Sequence, residues 1–407
     1  VSGLTAALEA ADAGYDVLLV EREAALGGWA ARLWKRMPAR EPYDEPVDTG
    51  IGALIARAGA HPRIELMLGA RVAQTSGAPG RFQLRIERAD GSTSDAVCGA
   101  IVQASGFTSY DIAKLSGLGG GLHPHVVDQA GFEALARAAD GAPIRRADGR
   151  LVKSVVFIQC AGQRDTTGRH LPYCSGHCCG TSIKQAMYLK DADAQASAIV
   201  LYTDLRTPGM AEDFYRSAQA KGVTFAKGVA QAVEAAGDGM RVRFRDLILD
   251  EDAAADADLV VLATGQVANA GVDLDRWDAA VTGAEQGDAA AVEHKSALAK
   301  ISVLNLAYRQ GPDLPQLKYG FADSHFICFP YETRRTGIYA VGPTRRPMDI
   351  AQAVEDAAGA AMKAIQAVEN AALGRAAHPR SGDLSYPIVR LEGCTQCKRC
   401  TVECPFG

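Results

Sequence analysis

Four cysteines near the C-terminal end of the chain carry its clearest chemical signal. Cys394, Cys397, Cys400 and Cys404 are followed by Pro405, and their spacing is C-x2-C-x2-C-x3-C-P. Thiolates at this spacing hold iron–sulfur clusters, because tight turns let three of them converge on one cubane while the fourth usually binds a second cluster. Zinc sites usually have their ligands in two distant pairs, which makes zinc the weaker interpretation. The run therefore predicts one-electron chemistry.

A second group of cysteines lies in the middle of the chain. Cys160 follows an apolar segment, and Cys174, Cys178 and Cys179 come soon after it in one predicted loop. Four thiolates in one loop can surround a cluster if the loop folds back. The alternatives are a redox-active disulfide and buried structural cysteines. Cys178 and Cys179 would form a strained ring if they bonded each other, so we predict a non-standard iron–sulfur site.

The N-terminal residues read as the second half of a dinucleotide-binding βαβ unit. An amphipathic helix, a glycine turn and an apolar strand at 17–20 lead to Glu21. The last glycine of a G-x-G-x-x-G fingerprint then corresponds to Gly3, and an acidic residue about 20 positions further on accepts ribose hydroxyls. We expect the preceding strand and glycines to lie before Val1, and a second cysteine run to lie after Gly407.

Glycines further along the chain favour FAD over a purely structural unit. Gly27 and Gly28 follow the acidic residue and allow the backbone to approach a cofactor closely. Apolar strands that end at 105–106 and 264–265 resemble the strand ends that flank the cofactor in flavoproteins with two dinucleotide-binding units. The segment that ends at 342–343 resembles the last flavin-binding segment of thioredoxin-reductase-like proteins. The predicted FAD contacts are Ser2, Gly3, Glu21, Arg22, Gly27, Gly28, Ser105, Gly106, Thr264, Gly265, Gly342 and Pro343.

The order of elements predicts an α/β protein with two Rossmann-like units, and the resemblance of its flavin-binding segments implies a thioredoxin-reductase-like two-dinucleotide-binding flavoprotein fold. A second Rossmann-like unit begins near residue 150, but Cys160-Ala161-Gly162-Gln163 stands where a phosphate-binding glycine loop would be. NAD(P)H should therefore be a poor direct reductant. The predicted domains are an FAD-binding domain at 1–114 and 258–375, a second Rossmann-like domain at 150–257, and the start of a ferredoxin-like domain at 390–407. Residues 115–150 read as a glycine-rich turn and a linker.

Bulk composition agrees with a cytoplasmic redox protein. The chain has 407 residues with 48% hydrophobic and 22% charged, which are ordinary globular values. The net charge of −5 argues against a nucleic acid partner. No apolar run reaches the ~18 residues of a membrane span, and no secretory signal is visible. Ten cysteines in such a chain indicate metal ligands rather than disulfides, with the isolated Cys98 and Cys328 as core residues.

The chain resembles the A-type flavoprotein component of heterodisulfide reductase over nearly its whole length. The resemblance runs from VSGLTAALEAADAGYDVLLVE through FIQCAGQRD, YCSGHCCGTSIKQA and YTDLRTPG to the C-terminal cysteine run, and YCSGHCC is its specific element. It implies that Cys160, Cys174, Cys178 and Cys179 hold a 4Fe-4S cluster in the flavin domain. It also implies that Lys184 is a catalytic lysine beside the flavin. Without the resemblance, a solvent-facing helix lysine would be the better interpretation.

Within that family, the segments FICFPYETRRTGIYAVGPTRRPMDIAQAVE and LEGCTQCKRCTVECPFG look closest to the quinone-interacting membrane-bound oxidoreductase complex. Of its two flavoprotein components, the one that bears a ferredoxin run is the better match. This implies electron transfer between a quinone pool and adenylylsulfate reductase, with other subunits as partners and any membrane contact made through them. Many family members carry Gly-Asp where this chain has Gly342-Pro343. Arg345 and Arg346 either compensate for the lost acidic group or form a surface pair.

Three alternatives remain open from the sequence. The first is a heterodisulfide-reductase component that acts with ferredoxin or a hydrogenase and bifurcates electrons at its flavin. The second is a pyridine-nucleotide-dependent disulfide reductase, in which two of Cys174, Cys178 and Cys179 form the redox pair. The third is a conduit and docking protein that binds FAD structurally and has no substrate of its own.

Overall fold

The structure is a computed structural model that describes residues 1–272, 274–301, 316–324, 327 and 329–377. The predicted cluster ligands Cys394, Cys397, Cys400 and Cys404, the predicted domain at 390–407 and Cys328 lie outside the described residues. Within the described part of the chain, no helix is both long enough and apolar enough to cross a membrane.

The described residues form an α/β fold. The helices are Ser2–Asp12 (α1), Ile51–Ala60 (α2), Gln129–Ala139 (α3), Cys178–Ala192 (α4), Ala211–Ala220 (α5), Leu274–Glu285 (α6), Ala289–Ile301 (α7) and Ile350–Ala372 (α8). The strands are Val17–Val20 (β1), Ile64–Met67 (β2), Ala70–Ala78 (β3), Arg81–Arg88 (β4), Thr93–Cys98 (β5), Ile101–Gln103 (β6), Phe107–Ser109 (β7), Val126–Asp128 (β8), Ser154–Ala161 (β9), Ser197–Tyr202 (β10), Thr224–Ala236 (β11), Gly239–Asp246 (β12), Glu251–Ala257 (β13), Leu259–Thr264 (β14), Gln266–Ala268 (β15) and Ile338–Ala340 (β16). Short 3₁₀ helices lie at Gly28–Arg32, Ile112–Leu118, Lys318–Gly320 and Gly342–Thr344.

The first unit is built around helix α1. The predicted helix, glycine turn and strand are confirmed, and β1 runs parallel to β2 while β6 runs parallel to β16. α1 contacts β1, β2, β6 and the long helix α8, where small side chains such as Ala6, Ala357 and Ala361 allow close packing. A Cβ at Gly3 would meet Ala104 at 3.3 Å, so glycine suits the close approach of α1 to the end of β6. This is the role of the last fingerprint glycine.

A β-rich segment follows β2. β3, β4 and β5 form an antiparallel sheet, and Asp90-Gly91 makes the turn between β4 and β5, with Gly91 at a φ of 82°. A positive φ costs glycine little, which explains its place in the turn. Ile86 and Phe82 on β4 are buried, and Cys98 packs beside them. Burial raises the pKa of Cys98 to about 11, as expected for a core thiol.

The second unit is a seven-stranded sheet in the order β13-β12-β11-β10-β9-β14-β8. β9 lies near its centre, parallel to both β10 and β14. Alternate residues of β9 face opposite sides, as in any strand. Val155 and Phe157 pack against Ile183 and Met187 of α4, and the intervening residues face the other core cluster. Cys160, near the end of β9, therefore lies on a buried, apolar strand.

Three features differ from the sequence-based expectations. Residues 115–150 contain β8 and α3 instead of only a turn and linker, because Asp128 caps α3 by accepting a hydrogen bond from Gly131 N at 2.8 Å. The sheet of the second unit includes β14, which lies beyond the expected boundary at 257, because β14 pairs with β9. α4 begins at Cys178, since Thr181 N donates to the carbonyl of His177, so two of the cysteines lie on a helix.

Candidate functional site

A cavity of about 1680 Å³ lies between the first unit and the start of α4. Typical pockets for small molecules have volumes of roughly 300–1,000 Å³, so this one has room for a dinucleotide. Every predicted FAD contact except Gly342 lines it, and so does Lys184. Residues that are 340 positions apart in the chain, such as Gly3 and Pro343, thus meet around one space.

One wall of the cavity is formed by the start of α1 and the end of β1. Ser2 and Gly3 lie in the first turn of α1, where the backbone N–H groups of a helix are free to bind an anion. Glu21 directly follows β1, and its Oε1 accepts a hydrogen bond from Glu23 N at 2.9 Å. The guanidinium of Arg22 instead pairs with Glu23 at 3.0 Å, and both side chains are exposed. Glu21 is therefore the better-placed polar side chain here.

The paired glycines adopt a backbone conformation that other residues avoid. Gly27 has a φ of 115° and Gly28 a φ of 53°, and a Cβ at Gly27 would lie 2.8 Å from the Cβ of Ala31. The turn brings Trp29 to the cavity, where its ring lies 5.0 Å from that of Phe107. These two aromatic residues were not predicted as site residues. The sequence signal that could have identified Trp29 is an aromatic residue directly after a glycine pair.

Gly342 stands behind the cavity wall and supports it. Its N–H donates to Asp356 Oδ2 at 2.8 Å, and a Cβ at this position would overlap the hydroxyl of Ser2. Asp356 also forms a buried ion pair with Arg345. Neither Arg345 nor Arg346 is among the residues that line the cavity. Arg345 is buried against α8. It therefore neither replaces the lost acidic contact to the cofactor nor belongs to a surface pair, so both expectations are wrong for Arg345.

One face of α4 lines the opposite side of the cavity. His177, Thr181 and Lys184 are spaced so that they share this face of the helix. Lys184 is only 2% exposed, so the solvent-facing interpretation is wrong. Its Nζ lies 2.6 Å from Glu133 Oε1 and donates to the carbonyl of Lys35 at 2.8 Å. Burial lowers the pKa of Lys184, and the carboxylate of Glu133 opposes this by stabilising the charged amine.

His177 presents an unpaired atom at the same cavity. Its Nδ1 lies 3.4 Å from the hydroxyl of Thr181, which itself donates to the carbonyl of His177 at 3.1 Å. Its Nε2 is buried and has no hydrogen-bond partner within the described structure. Burial lowers the pKa of His177 to about 4, so the ring is neutral near pH 7. A buried polar atom without a partner is costly, and a ligand with a polar edge would satisfy it.

The four mid-chain cysteines line one small cavity at the end of β9. Cys160 is the second-last residue of β9, Cys174 lies in the loop, and Cys178 and Cys179 form the first turn of α4. All four are free thiols. Cys160 has a φ of 55°, which is uncommon for a residue other than glycine and turns the chain away from the sheet. The structure thus places together the cysteines that the sequence grouped in one loop.

Burial keeps the thiols of Cys160, Cys178 and Cys179 in their neutral form when no metal is bound. It raises the pKa of Cys179 to about 11, and it raises the pKa of Cys160 and Cys178 as well. Metal ligation requires thiolates, so a bound cluster would displace these protons. Among the described residues, no group of three or more His, Cys, Asp or Glu could hold a metal ion. A single ion requires its ligands close together, whereas a four-iron cubane spreads its thiolates over a larger volume.

Hydrogen-bond donors surround the thiols. Gln163 Nε2 donates to Cys178 Sγ at 3.2 Å, and Gly176 N donates to Cys174 Sγ at 3.4 Å. The guanidinium of Arg164 opposes the rise in the pKa of Cys160 caused by burial, and it also pairs with Asp204. Donors of this kind stabilise negative charge on sulfur, so the set fits an anionic iron–sulfur cluster. The amide of Gln159 also lines this cavity, and neither of its polar atoms has a partner within the described structure.

The two cavities share a wall made by the end of β14. Thr264, Gly265 and Gln266 line the large cavity. On the other side, Cys178 Sγ donates to the carbonyl of Thr264 at 3.4 Å. A Cβ at Gly265 would lie 2.7 Å from the side chain of Gln163, so only glycine fits at this position between the two cavities. A single extended segment of backbone therefore separates the thiols from the large cavity.

Helix α3 supplies site residues that the sequence patterns did not reveal. Gln129 and Glu133 line the large cavity, and Gln129 Nε2 also donates to the carbonyl of Cys178 at 2.8 Å. Glu133 further accepts hydrogen bonds from Gln185 Nε2 and from the backbone N–H of Trp34. The available signal was an aspartate followed by an amphipathic segment, which is typical of a capped helix. The helix was not predicted because it lies in a segment that reads as a linker.

No family model matches this chain. Curated relatives match it over its whole length. The A subunit of the H(2)/formate:CoB-CoM heterodisulfide,ferredoxin reductase of Methanococcus maripaludis is 24% identical over an alignment of 494 residues, which covers 100% of this chain and 68% of the relative. The A subunit of the H(2):CoB-CoM heterodisulfide,ferredoxin reductase of Methanothermobacter marburgensis is 26% identical, with 100% and 67% covered. An iron-sulfur A subunit of the CoB--CoM heterodisulfide reductase of Methanopyrus kandleri is 25% identical, with 100% and 68% covered.

Solved structures confirm the predicted fold. Thioredoxin reductase of T. acidophilum aligns with a TM-score of 0.53 and 14% identity, over 91% of this chain and 95% of that one. Thioredoxin reductase of Lactococcus lactis aligns with a TM-score of 0.52 and 16% identity, over 91% and 96%. The protein is thus an oxidoreductase similar to the A subunits of heterodisulfide reductases and built on a thioredoxin-reductase-like fold.

Proposed function

We propose that this protein is an electron-transfer subunit that binds FAD in the large cavity and a 4Fe-4S cluster at Cys160, Cys174, Cys178 and Cys179. The observation that carries the proposal is the shared wall. The thiol of Cys178 contacts the carbonyl of Thr264, and Thr264 lines the large cavity. A cofactor on each side of one backbone segment is an arrangement suited to electron transfer between them.

The residues of the large cavity fit FAD. The start of α1 would hold the pyrophosphate, and the carboxylate of Glu21 would accept the ribose hydroxyls of the adenosine half. The isoalloxazine ring would then lie at the other end, near the His177, Thr181 and Lys184 face of α4. Bound FAD supplies the conversion between two-electron and one-electron transfer. The remaining predicted contacts, Arg22, Gly28, Ser105, Gly106, Gly265 and Pro343, line the same space and remain proposals.

Lys184 is the residue we propose as catalytic. It is buried, it lines the cavity, and Glu133 fixes its amine at 2.6 Å. A fixed ammonium donates hydrogen bonds and stabilises negative charge that develops on a nearby ring, and exclusion of water strengthens the effect. Glu133 and the carbonyl of Lys35 hold the amine in one position.

Two finer roles are consistent with this proposal. One is exchange of electrons between a quinone pool and adenylylsulfate reductase through partner subunits, as the sequence resemblance suggests. The other is a heterodisulfide-reductase role with ferredoxin or a hydrogenase, with bifurcation at the flavin; the curated relatives are named as heterodisulfide,ferredoxin reductases. Neighbouring genes would decide between them, since genes for a membrane haem protein and for adenylylsulfate reductase would indicate the first role.

Anaerobic purification followed by analysis of flavin, iron and acid-labile sulfide tests the proposal. We expect one FAD per chain and a cubane signal in electron paramagnetic resonance after reduction. Replacement of Cys178 by Ala should lower the iron content without removing FAD. A protein that holds neither flavin nor iron, or that shows a two-electron thiol–disulfide couple instead of a cluster, would contradict the proposal. The second result would favour a disulfide reductase.

A further inference from the structure

Gln159 is the one residue of the cysteine cavity whose side-chain amide is left wholly unpaired in the described structure. It is 7% exposed, it lines the cavity with the four cysteines, and both its Nε2 and its Oε1 are buried without a hydrogen-bond partner. The neighbouring Gln163 shows the contrast, since its amide bonds Cys178 Sγ, Ala263 O and Ser175 N. An orphaned amide in a protein interior costs free energy and calls for an explanation.

The position of Gln159 on β9 explains where its amide lies. Val155 and Phe157 face α4, and the alternation of the strand places Gln159 on that same side. The first turn of α4 carries Cys178 and Cys179, which line the same cavity as Gln159. Cys160 would face the other side, but its φ of 55° breaks the alternation and returns it to the same cavity. Gln159 and Cys160 can thus both contact one occupant.

We propose that the amide of Gln159 donates a hydrogen bond to the iron–sulfur cluster and raises its midpoint potential. This rests on the proposed function, because it requires a cluster at the four cysteines. Thiolate and sulfide are hydrogen-bond acceptors only, so Nε2 is the atom that serves them. A donor stabilises the reduced cluster more than the oxidised one, since the reduced cluster carries one more negative charge. Gln159 therefore favours reduction, in addition to Gln163, which donates to Cys178 Sγ.

A redox titration of the whole protein tests this inference. Gln159→Met keeps a long, flexible side chain and removes the donor. Gln231→Met is the matched control, because Gln231 lies on β11 and bonds Asp252 far along the same sheet. At a fixed electrode potential, the ratio of reduced to oxidised cluster should fall about five-fold in Gln159→Met, the worth of one hydrogen bond, and should not change in Gln231→Met. An unchanged ratio at full iron content would overturn the inference.

A spectroscopic test covers the case in which Gln159→Met does not retain its cluster. Unaltered protein labelled with ¹⁵N in its glutamine side chains should show two nitrogen couplings to the reduced cluster in pulsed electron paramagnetic resonance, one from Gln163 and one from Gln159. A single coupling would overturn the inference. The absence of any cubane signal in unaltered protein would instead count against the proposed function itself, so the two failures are distinguishable.

Discussion

Cys178 Sγ lies 3.4 Å from the carbonyl oxygen of Thr264, although the two residues are 86 positions apart in the chain. Cys178 belongs to the cysteine cavity and Thr264 to the large cavity. The contact exists because α4, which begins at Cys178, packs against β14, which ends at Thr264. The cysteine cavity and the large cavity, which the sequence suggests separately, are therefore neighbours in space. A substitution in one cavity can thus affect a cofactor bound in the other.

Replacement of Glu21 by Ala should weaken FAD binding about ten-fold or more, because a charge-assisted hydrogen bond to ribose is lost. Glu9→Ala is the control, since Glu9 is exposed on α1 and is not among the residues that line the cavity. Titration of the apoprotein with FAD, followed by flavin fluorescence, gives the two dissociation constants. Equal constants for Glu21→Ala and the unaltered protein would show that Glu21 is wrongly assigned.

Replacement of His177 by Phe should also weaken FAD binding, by about three- to ten-fold, because the ligand then loses the ring nitrogen Nε2 as a partner. His294→Phe is the control, because His294 is exposed on α7. The visible spectrum of bound flavin should shift in His177→Phe, since its ring environment changes. Identical affinity and spectrum in both variants would mean that the ring of His177 faces no part of the flavin.

The buried pair of Lys184 and Glu133 should show strong coupling in stability. Lys184→Met should destabilise the protein by about 3–5 kcal/mol, because it leaves the carboxylate of Glu133 buried and uncompensated. The double variant Lys184→Met, Glu133→Leu should recover most of that loss, because it removes both charges together. Urea unfolding of the double variant and of each single variant gives the coupling energy. If the changes in the free energy of unfolding are additive, Lys184 and Glu133 do not interact energetically.

NADH and NADPH should reduce the flavin slowly. The end of β9 and the loop after it hold Cys160, Gln163 and Cys174, where a pyridine nucleotide would need a glycine loop. Stopped-flow absorbance under anaerobic conditions measures flavin bleaching, with dithionite as the positive control. Rapid bleaching with a low-micromolar dissociation constant for NADPH would favour the disulfide-reductase alternative. The thioredoxin-reductase-like fold by itself is compatible with that alternative.

Local patterns in the sequence predicted the elements of the fold, and long-range packing decided the rest. The strand and glycine turn before Glu21 follow from hydrophobic periodicity, and the structure confirms them. Helix α3 was missed because its cap, Asp128, is the last residue of a three-residue strand, which is too short to give an alternating pattern. The burial of Lys184 depends on Glu133, which is 51 positions away, so no local pattern could show it.

The cysteine cavity should hold a four-iron cluster without help from the C-terminal cysteine run. Four thiolates supply the four iron sites, so no further ligand is needed. The full-length double variant Cys397→Ser, Cys400→Ser disables the C-terminal run and leaves Cys160, Cys174, Cys178 and Cys179 in place. After anaerobic reconstitution it should retain about four irons per chain, following the ligand count, and it should give a cubane signal in electron paramagnetic resonance when reduced.

Addition of Cys178→Ala to that double variant should then lower the iron content and remove the signal. Cys98→Ala is the matched control, because Cys98 packs in the core of the first unit away from the other thiols. The resonance signal is the sharper measurement, since adventitious iron gives no cubane spectrum. A double variant that takes up no cluster, and whose thiols instead titrate with two electrons as a disulfide, would move Cys174, Cys178 and Cys179 from metal ligation to thiol chemistry.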